Sequence, residues 1–225
     1  MCRNMKDYTE KEIQNPAADL ALFHQTIAVS NRHLCSRPFS EQIERVCQCH
    51  PRALILREKD LTEEEYAILA EQVLEICGTY QVPCILHTYW KVALDLHCTS
   101  IHLPLAQLRE CRKQADVDVV NMADVDATDV VLNSFSQIGT SVHSVEDALE
   151  AQKLGATYIT AGHIYATDCK KGLPPRGLDF LRDVCRAVDI PVYAIGGIKI
   201  DQAQFTDILN CGAAGGCIMS GMMNI

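Results

Sequence analysis

The chain has 225 residues, 48% of them hydrophobic and 22% charged, a globular balance that excludes a disordered segment or a coiled coil. Its net charge of −9 excludes a general nucleic-acid binder, which needs a positive surface. Charges interrupt every apolar run short of the ~18 residues of a membrane span, and MCRNMKDYTEKEIQ has no apolar signal-peptide core, so a soluble cytoplasmic protein is expected.

Residues 1–25 read as a helical extension ahead of the first predicted strand, TIAVS (26–30), which is followed by the helical segment SEQIERVCQ (40–48). ALILR (53–57) leads into TEEEYAILAEQVLEICGTY (62–80), where Thr62 and Glu65 make a capping-box pair. PCILH (83–87) precedes YWKVALDLH, and SIHLPL (100–105) precedes AQLRECRKQ. Residues 114–152 then hold no Lys or Arg but eight acids, including the pairs Asp116/Asp118 and Asp124/Asp126. Within that stretch, 114–136 reads as a solvated insertion; it lacks the glycine and glutamate spacing of a calcium loop, and no metal is expected there. QIGTSVH (137–143) precedes SVEDALEAQKLG (144–155), with Ser144 as N-cap and Gly155 as stop. YITAGHI (158–164), PVYAIGG (191–197) and GCIMSG (216–221) complete eight strands with helical crossovers.

That alternation predicts an α/β protein, a (β/α)8 TIM barrel forming one domain over 1–225. A doubly wound open sheet is the alternative, but no Gly-x-Gly-x-x-Gly follows the first strand. The chain stops at Ile225, so the C-terminal helix is expected to be truncated, absent or supplied by another subunit. The apolar surface left uncovered would favour a homo-oligomer. Twelve cysteines are scattered singly, with Cys77, Cys84, Cys98, Cys185, Cys211 and Cys217 where a core takes a small hydrophobe. Cys47-Gln48-Cys49-His50 has no Cys-x-x-Cys partner, so a reduced structural role is expected rather than zinc.

In such a barrel, function gathers at the carboxyl ends of strands. Those positions hold Arg57, Glu58 and Lys59 after strand two, His87 and Thr88 after strand three, His102 in strand four, and His143 at the end of strand five. His163 ends strand six, Gly196 and Gly197 follow strand seven, and Ser220 and Gly221 follow strand eight. The last two pairs suit a phosphate held by backbone N–H groups, although glycine is also the ordinary residue of a tight turn. The loop GHIYATDCKKGLPPRG (162–177) is long and polar, and its flanking glycines suit a lid. It offers Lys170 and Lys171 for a second anion and His163 as a candidate acid/base, an unperturbed imidazole titrating near pKa ~6.5.

The run IGTSVHSVEDALEAQKLGATYITAGHIYATDCKKGLPPRGL, followed by IPVYAIGGI, resembles the thiamine phosphate synthase/TenI superfamily of β/α barrels. ALILREKDLTEEEY carries a fainter likeness to the family's second-strand Arg-x-Lys motif. Synthases of this family carry Asn-Asp after strand three and a further Asp after strand four, which serve Mg²⁺ and pyrophosphate. Here those places hold His87-Thr88 and HLPLAQL (102–108). Of the synthase loop Gly-Pro-Ile-Tyr-x-Thr-x-Thr-Lys, the chain keeps Ile164, Tyr165, Thr167 and Lys170, with His163 at the proline and Cys169 at the second threonine. Gly162-His163 and Thr167 through Gly172 match the TenI branch without a gap.

The resemblance therefore implies a thiazole tautomerase of thiamine biosynthesis, with His163 catalytic and no cofactor or metal. The implied substrate is a carboxylated thiazole phosphate, converted from its exocyclic-ylidene form to the aromatic tautomer. Its phosphate would anchor on Gly196, Gly197, Ser220 and Gly221. Arg57, Lys59, Thr167 and Lys170 complete the binding set, and either Lys170 or Arg57 meets the carboxylate. The alternatives are thiamine phosphate synthase, which joins a pyrimidine diphosphate to a thiazole phosphate, and a non-catalytic TenI-like binder or regulator.

Overall fold

Short runs rich in β-branched and aliphatic residues form the strands, and the segments of helical period between them fold back over the sheet. The computed structural model describes residues 16–117, 132–167 and 170–225. Residues 1–15 of the expected extension, 118–131 of the expected insertion, and Asp168 and Cys169 lie outside the described residues.

The chain enters through α1 (Pro16–His24) and runs β1 (Thr26–Val29), α2 (Phe39–Gln48), β2 (Ala53–Leu56), α3 (Glu63–Thr79), β3 (Cys84–His87) and α4 (Trp90–Asp95). It continues through β4 (Ser100–Pro104), α5 (Leu105–Val117), β5 (Gln137–Val142), α6 (Val145–Lys153), β6 (Tyr158–Gly162) and α7 (Gly177–Ala187). β7 (Val192–Ile195), α8 (Gln202–Asn210), β8 (Gly215–Ile218) and a 3-10 turn at Met222–Asn224 follow. The eight strands are parallel and neighbour one another in sequence order. The barrel closes where Thr26, Ile27 and Ala28 pair with Gly216, Cys217 and Ile218. This is the (β/α)8 architecture that the alternation of elements predicts.

Side chains alternate across each strand. Ile27, Val29, Ala53, Ile55, Ile85, Tyr158, Tyr193 and Cys217 pack together inside the barrel. Their neighbours Ala28, Leu54, Leu86, Ile159 and Ala194 face the helices. Both faces are buried, so the strands read as continuous apolar runs rather than alternating ones.

The expected caps are present. Thr62 Oγ1 accepts the Glu65 N–H at 3.2 Å, and Glu65 Oε2 accepts the Thr62 N–H at 2.9 Å. Ser144 Oγ accepts the Asp147 N–H at 3.0 Å, and Gly155 ends that helical segment at φ +86°. Thr62→Ala should cost about 1 kcal/mol and lower the melting midpoint by roughly 2–4 °C, read by thermal denaturation.

Cys77, Cys98, Cys211 and Cys217 are buried as expected, whereas Cys84 and Cys185 are only half-buried, so the core reading is corrected for these two. Past β8 the chain turns back against α2: Met222 and Met223 are fully buried, and Gln42 Nε2 donates to the Met222 carbonyl at 2.8 Å. No helix among the described residues is long and apolar enough to cross a membrane.

Candidate active site

At the carboxyl ends of β2 to β4 lies a cavity of about 240 Å³ lined by Glu58, Lys59, His87, Thr88, Tyr89 and Pro104. Glu58 is a buried carboxylate already engaged by its neighbours. Ser30 Oγ donates to it at 2.6 Å, the Arg32 N–H reaches both its oxygens at 3.2 Å, and the Arg32 guanidinium bonds it at 3.1 Å. Ser30 in turn accepts the Arg57 N–H at 2.8 Å, so the start of the loop after β2 is fixed from two sides. With Glu58 occupied by Arg32, no described carboxylate pairs with Arg57, Lys59 or Lys170. Loss of hydration lowers the Lys59 pKa, and the positive charges of Arg57 and Lys170 lower it further. Three cations gathered at one barrel end, with no paired carboxylate among the described residues, have the charge an anion asks for.

Beneath them two imidazoles stack, His87 on His102, with centroids 5.5 Å apart and planes inclined by 16°. His87 Nδ1 lies 2.6 Å from the Thr88 hydroxyl. His102 is held at both nitrogens, with Nδ1 2.9 Å from the Tyr158 hydroxyl and Nε2 3.0 Å from Ser141 Oγ. Ser141 Oγ is also 2.9 Å from Thr160 Oγ1. Burial, and then the nearby cations, push His87 down to about 2 and His102 down to about 3. Both rings are therefore neutral in the folded protein at ordinary pH.

The unfolded chain binds more protons than the folded one between these values and ~6.5, so stability falls as pH drops through that window. The expected slope is about 1 kcal/mol per pH unit for each ring. Chemical denaturation at pH 7 and pH 5.5 checks it, and His102→Gln should flatten the slope.

His163 follows β6 directly. Its side chain is buried, and Nε2 has no hydrogen-bond partner among the described residues. The backbone around it is stitched to neighbouring strands. His143 Nδ1 donates to the Gly162 carbonyl at 2.8 Å, the His163 carbonyl accepts the Arg176 N–H at 2.9 Å, and the Ile164 and Tyr165 N–H groups bond to Ile195 and Gly196, each at 2.9 Å. Gly196 has φ +94°, and a Cβ there would lie 2.3 Å from His163 Cβ. A Cβ at Gly197 would lie 2.6 Å from the Ala166 carbonyl oxygen. The paired glycines thus let the loops after β6 and β7 press together, a packing reason beside the anion-binding one. Among the described residues, the N–H groups of Gly197, Ser220 and Gly221 donate to no main-chain carbonyl.

The sequence-predicted residues fall in two halves of one barrel end. Arg57 and Lys59 stand on the β2 side, while His163, Gly196, Gly197, Ser220 and Gly221 stand on the β6 to β8 side. The exposed Lys170, on the loop after β6, spans them through its effect on Lys59. Thr167 sits on the same loop, its carbonyl accepting the Lys170 N–H at 3.1 Å. Sequence reasoning missed Ser30, Ser141, Tyr158 and Thr160. Polar residues recurring at inward positions of β4 to β6 were the signal that could have found the last three.

Known proteins of one family are similar to this chain. The sequence profile of a family described as thiamine monophosphate synthase matches residues 26–222, from the start of β1 to the turn after β8. The chain belongs to this thiamine monophosphate synthase/TenI family. It is 34% identical over 184 residues to thiamine-phosphate synthase 2 of Streptococcus pneumoniae, covering 80% of each chain. With the thiamine-phosphate synthase of Clostridium acetobutylicum it shares 27% over 198 residues, 88% of this chain and 86% of the relative. A solved thiamine phosphate pyrophosphorylase from Pyrococcus furiosus has a TM-score of 0.69 at 25% identity, covering 91% of this chain and 89% of that one. An N-acetylmannosamine-6-phosphate 2-epimerase from Clostridium perfringens, with a TM-score of 0.58 at 13% identity, shares the fold alone.

The Mg²⁺ that synthases of the family use does not fit the donors found at β3 and β4. His87 ends β3 and Thr88 follows it, and β4 ends on Pro104. Glu58, the carboxylate of the cavity, is committed to Ser30 and Arg32. A hard cation asks for several free oxygen ligands, and among the described residues no cluster of three acidic, histidine or cysteine groups is placed to hold a metal.

Proposed function

We propose that the chain aromatises a carboxythiazole phosphate in thiamine biosynthesis by metal-independent proton transfer, with His163 as general acid and base. The observation that carries this reading is the buried Nε2 of His163, just past β6, which has no hydrogen-bond partner among the described residues. A buried polar nitrogen left unbonded is costly unless a ligand completes it. In this proposal the substrate phosphate takes the N–H groups of Gly197, Ser220 and Gly221. Its carboxylate lies under Arg57, Lys59 and Lys170. His163 Nε2 removes one proton from the ring carbon and delivers one to the exocyclic carbon. One C–H bond breaks, one forms, and the electron pairs shift into the aromatic ring with no redox change. Such proton transfer is worth about 10²–10⁴-fold.

The second reading is a thiamine phosphate synthase, and the names of the similar proteins favour it. The same three cations suit a pyrophosphate, whereas the donors at β3 and β4 speak against the magnesium such a reaction uses. Two assays on the purified chain separate the readings. One follows the ultraviolet absorbance of the ylidene thiazole phosphate without metal. The other follows pyrophosphate release from a pyrimidine diphosphate and a thiazole phosphate with Mg²⁺. Activity in the first alone supports the tautomerase, and activity in the second alone overturns it. Binding of the thiazole phosphate without turnover in either assay leaves the non-catalytic binder.

A further inference from the structure

Four side chains from three strands meet inside the barrel. Tyr158 hydroxyl bonds to His102 Nδ1, His102 Nε2 to Ser141 Oγ, and Ser141 Oγ to Thr160 Oγ1. Tyr158, His102 and Thr160 are buried, and Ser141 is the one half-exposed member. The heavy atoms leave the proton directions open, and the cost of stranding a buried proton decides among them.

A neutral imidazole has one N–H, so three arrangements need comparison. If protons run from Thr160 through Ser141 and His102 toward Tyr158, the Tyr158 O–H points into the apolar interior with no acceptor. If they run the opposite way to the end of the chain, the Thr160 O–H is stranded instead. The third arrangement strands nothing. Tyr158 donates to Nδ1, Nε2–H donates to Ser141, Thr160 also donates to Ser141, and the Ser141 proton is left to face the barrel mouth.

We infer that Tyr158 and His102 are positioning residues that fix His102 as its Nε2–H tautomer and so make Ser141 a one-way hydrogen-bond donor to an anionic group of the ligand. With its oxygen occupied by two incoming bonds, Ser141 offers the mouth a proton and little acceptor capacity. An oxyanion is the ligand chemistry that such a group recognises. The inference rests on the reading of this barrel end as the ligand site and adds a donor on the β5 side to the Arg57, Lys59 and Lys170 cluster. Burial lowers the basicity of His102 and keeps the ring neutral.

The test is imidazole ¹⁵N NMR on histidine-labelled full-length chain, with His102→Gln to assign the signals. The wild type should show Nε2 protonated and Nδ1 bare; a proton on Nδ1 overturns the inference. Tyr158→Phe keeps the ring packing but cannot donate, so the Nδ1–H form should appear alongside. Calorimetric binding of the aromatic carboxythiazole phosphate should weaken about threefold to tenfold in that variant.

Ser141→Ala should weaken binding about tenfold, and adding Tyr158→Phe should then have little further effect. An equal loss from Tyr158→Phe in both backgrounds means a merely structural tyrosine and overturns the inference. Thr160→Val is a milder second variant that should leave the tautomer unchanged, and a flip of His102 in it counts against the scheme. The expected tautomer and binding pattern without turnover would uphold the inference and sink the tautomerase reading. Failure of the wild type to bind the probe would overturn the one-way donor together with the ligand-site reading, whatever the tautomer.

Discussion

Replacing His163 with alanine is expected to slow thiazole aromatisation about 10²–10⁴-fold and to leave the phosphate-bearing ligand bound. The bonds that position this segment are main-chain bonds from Ile164, Tyr165 and Arg176, so the substitution removes the imidazole without loosening its support. Stability should change little. The variant loses packing contacts, but it also removes a buried nitrogen that has no partner among the described residues. Ultraviolet progress curves without metal, beside a melting curve, give both quantities. An unchanged rate in a well-folded variant would remove His163 from the mechanism.

Gly196→Ala should be nearly as damaging, by a different route. The new methyl group would sit 2.3 Å from His163 Cβ and 2.7 Å from its Cα, at a backbone φ of +94°. The left-handed conformation costs a side chain about 1–2 kcal/mol, and the overlap with backbone forces His163 to move. A displacement of ~1 Å at a catalytic group costs about 10²-fold in rate. The control is Gly172→Ala, on the same loop as Lys170. Its φ of +82° is equally left-handed, but nothing lies within 4 Å of the added methyl. That variant should lose stability while keeping its rate. Equal rate losses in the two would mean that strain, not contact with His163, governs the site.

Much of the fold was legible because local rules and tertiary burial point the same way. TIAV and ALIL are buried on both faces and so lack polar alternation, and Thr62 and Ser144 mark helix starts through bonds within one turn. The Gly162-His163 step was legible for a similar reason, since it sits at a strand end in a recognisable loop. Other features depend on distant partners. Nothing near Glu58 in the chain reveals that Ser30 and Arg32 will claim its oxygens, yet this frees Arg57 and Lys59 for an anion. His102 lies 56 residues from Tyr158 and 39 from Ser141, so the polar network exists only once β4, β5 and β6 are side by side. Gly196 and Gly197 read as an anion cradle from sequence, and their contact with the loop after β6 appears only when β7 is laid against β6.

The binding of Glu58 by Arg32 also shapes how a ligand arrives. The whole chain carries −9, a charge that disfavours an anion close to most of its surface. Arg57, Lys59 and Lys170 nevertheless gather positive charge at one end of the barrel, with no paired carboxylate among the described residues. At physiological salt the Debye length is about 8 Å, so the acids on distant faces are screened while the cations beside the cavity are not. An anion of the proposed kind would feel attraction only once it comes within about a Debye length of the mouth. Charge asymmetry of this kind selects encounter orientation before any hydrogen bond forms.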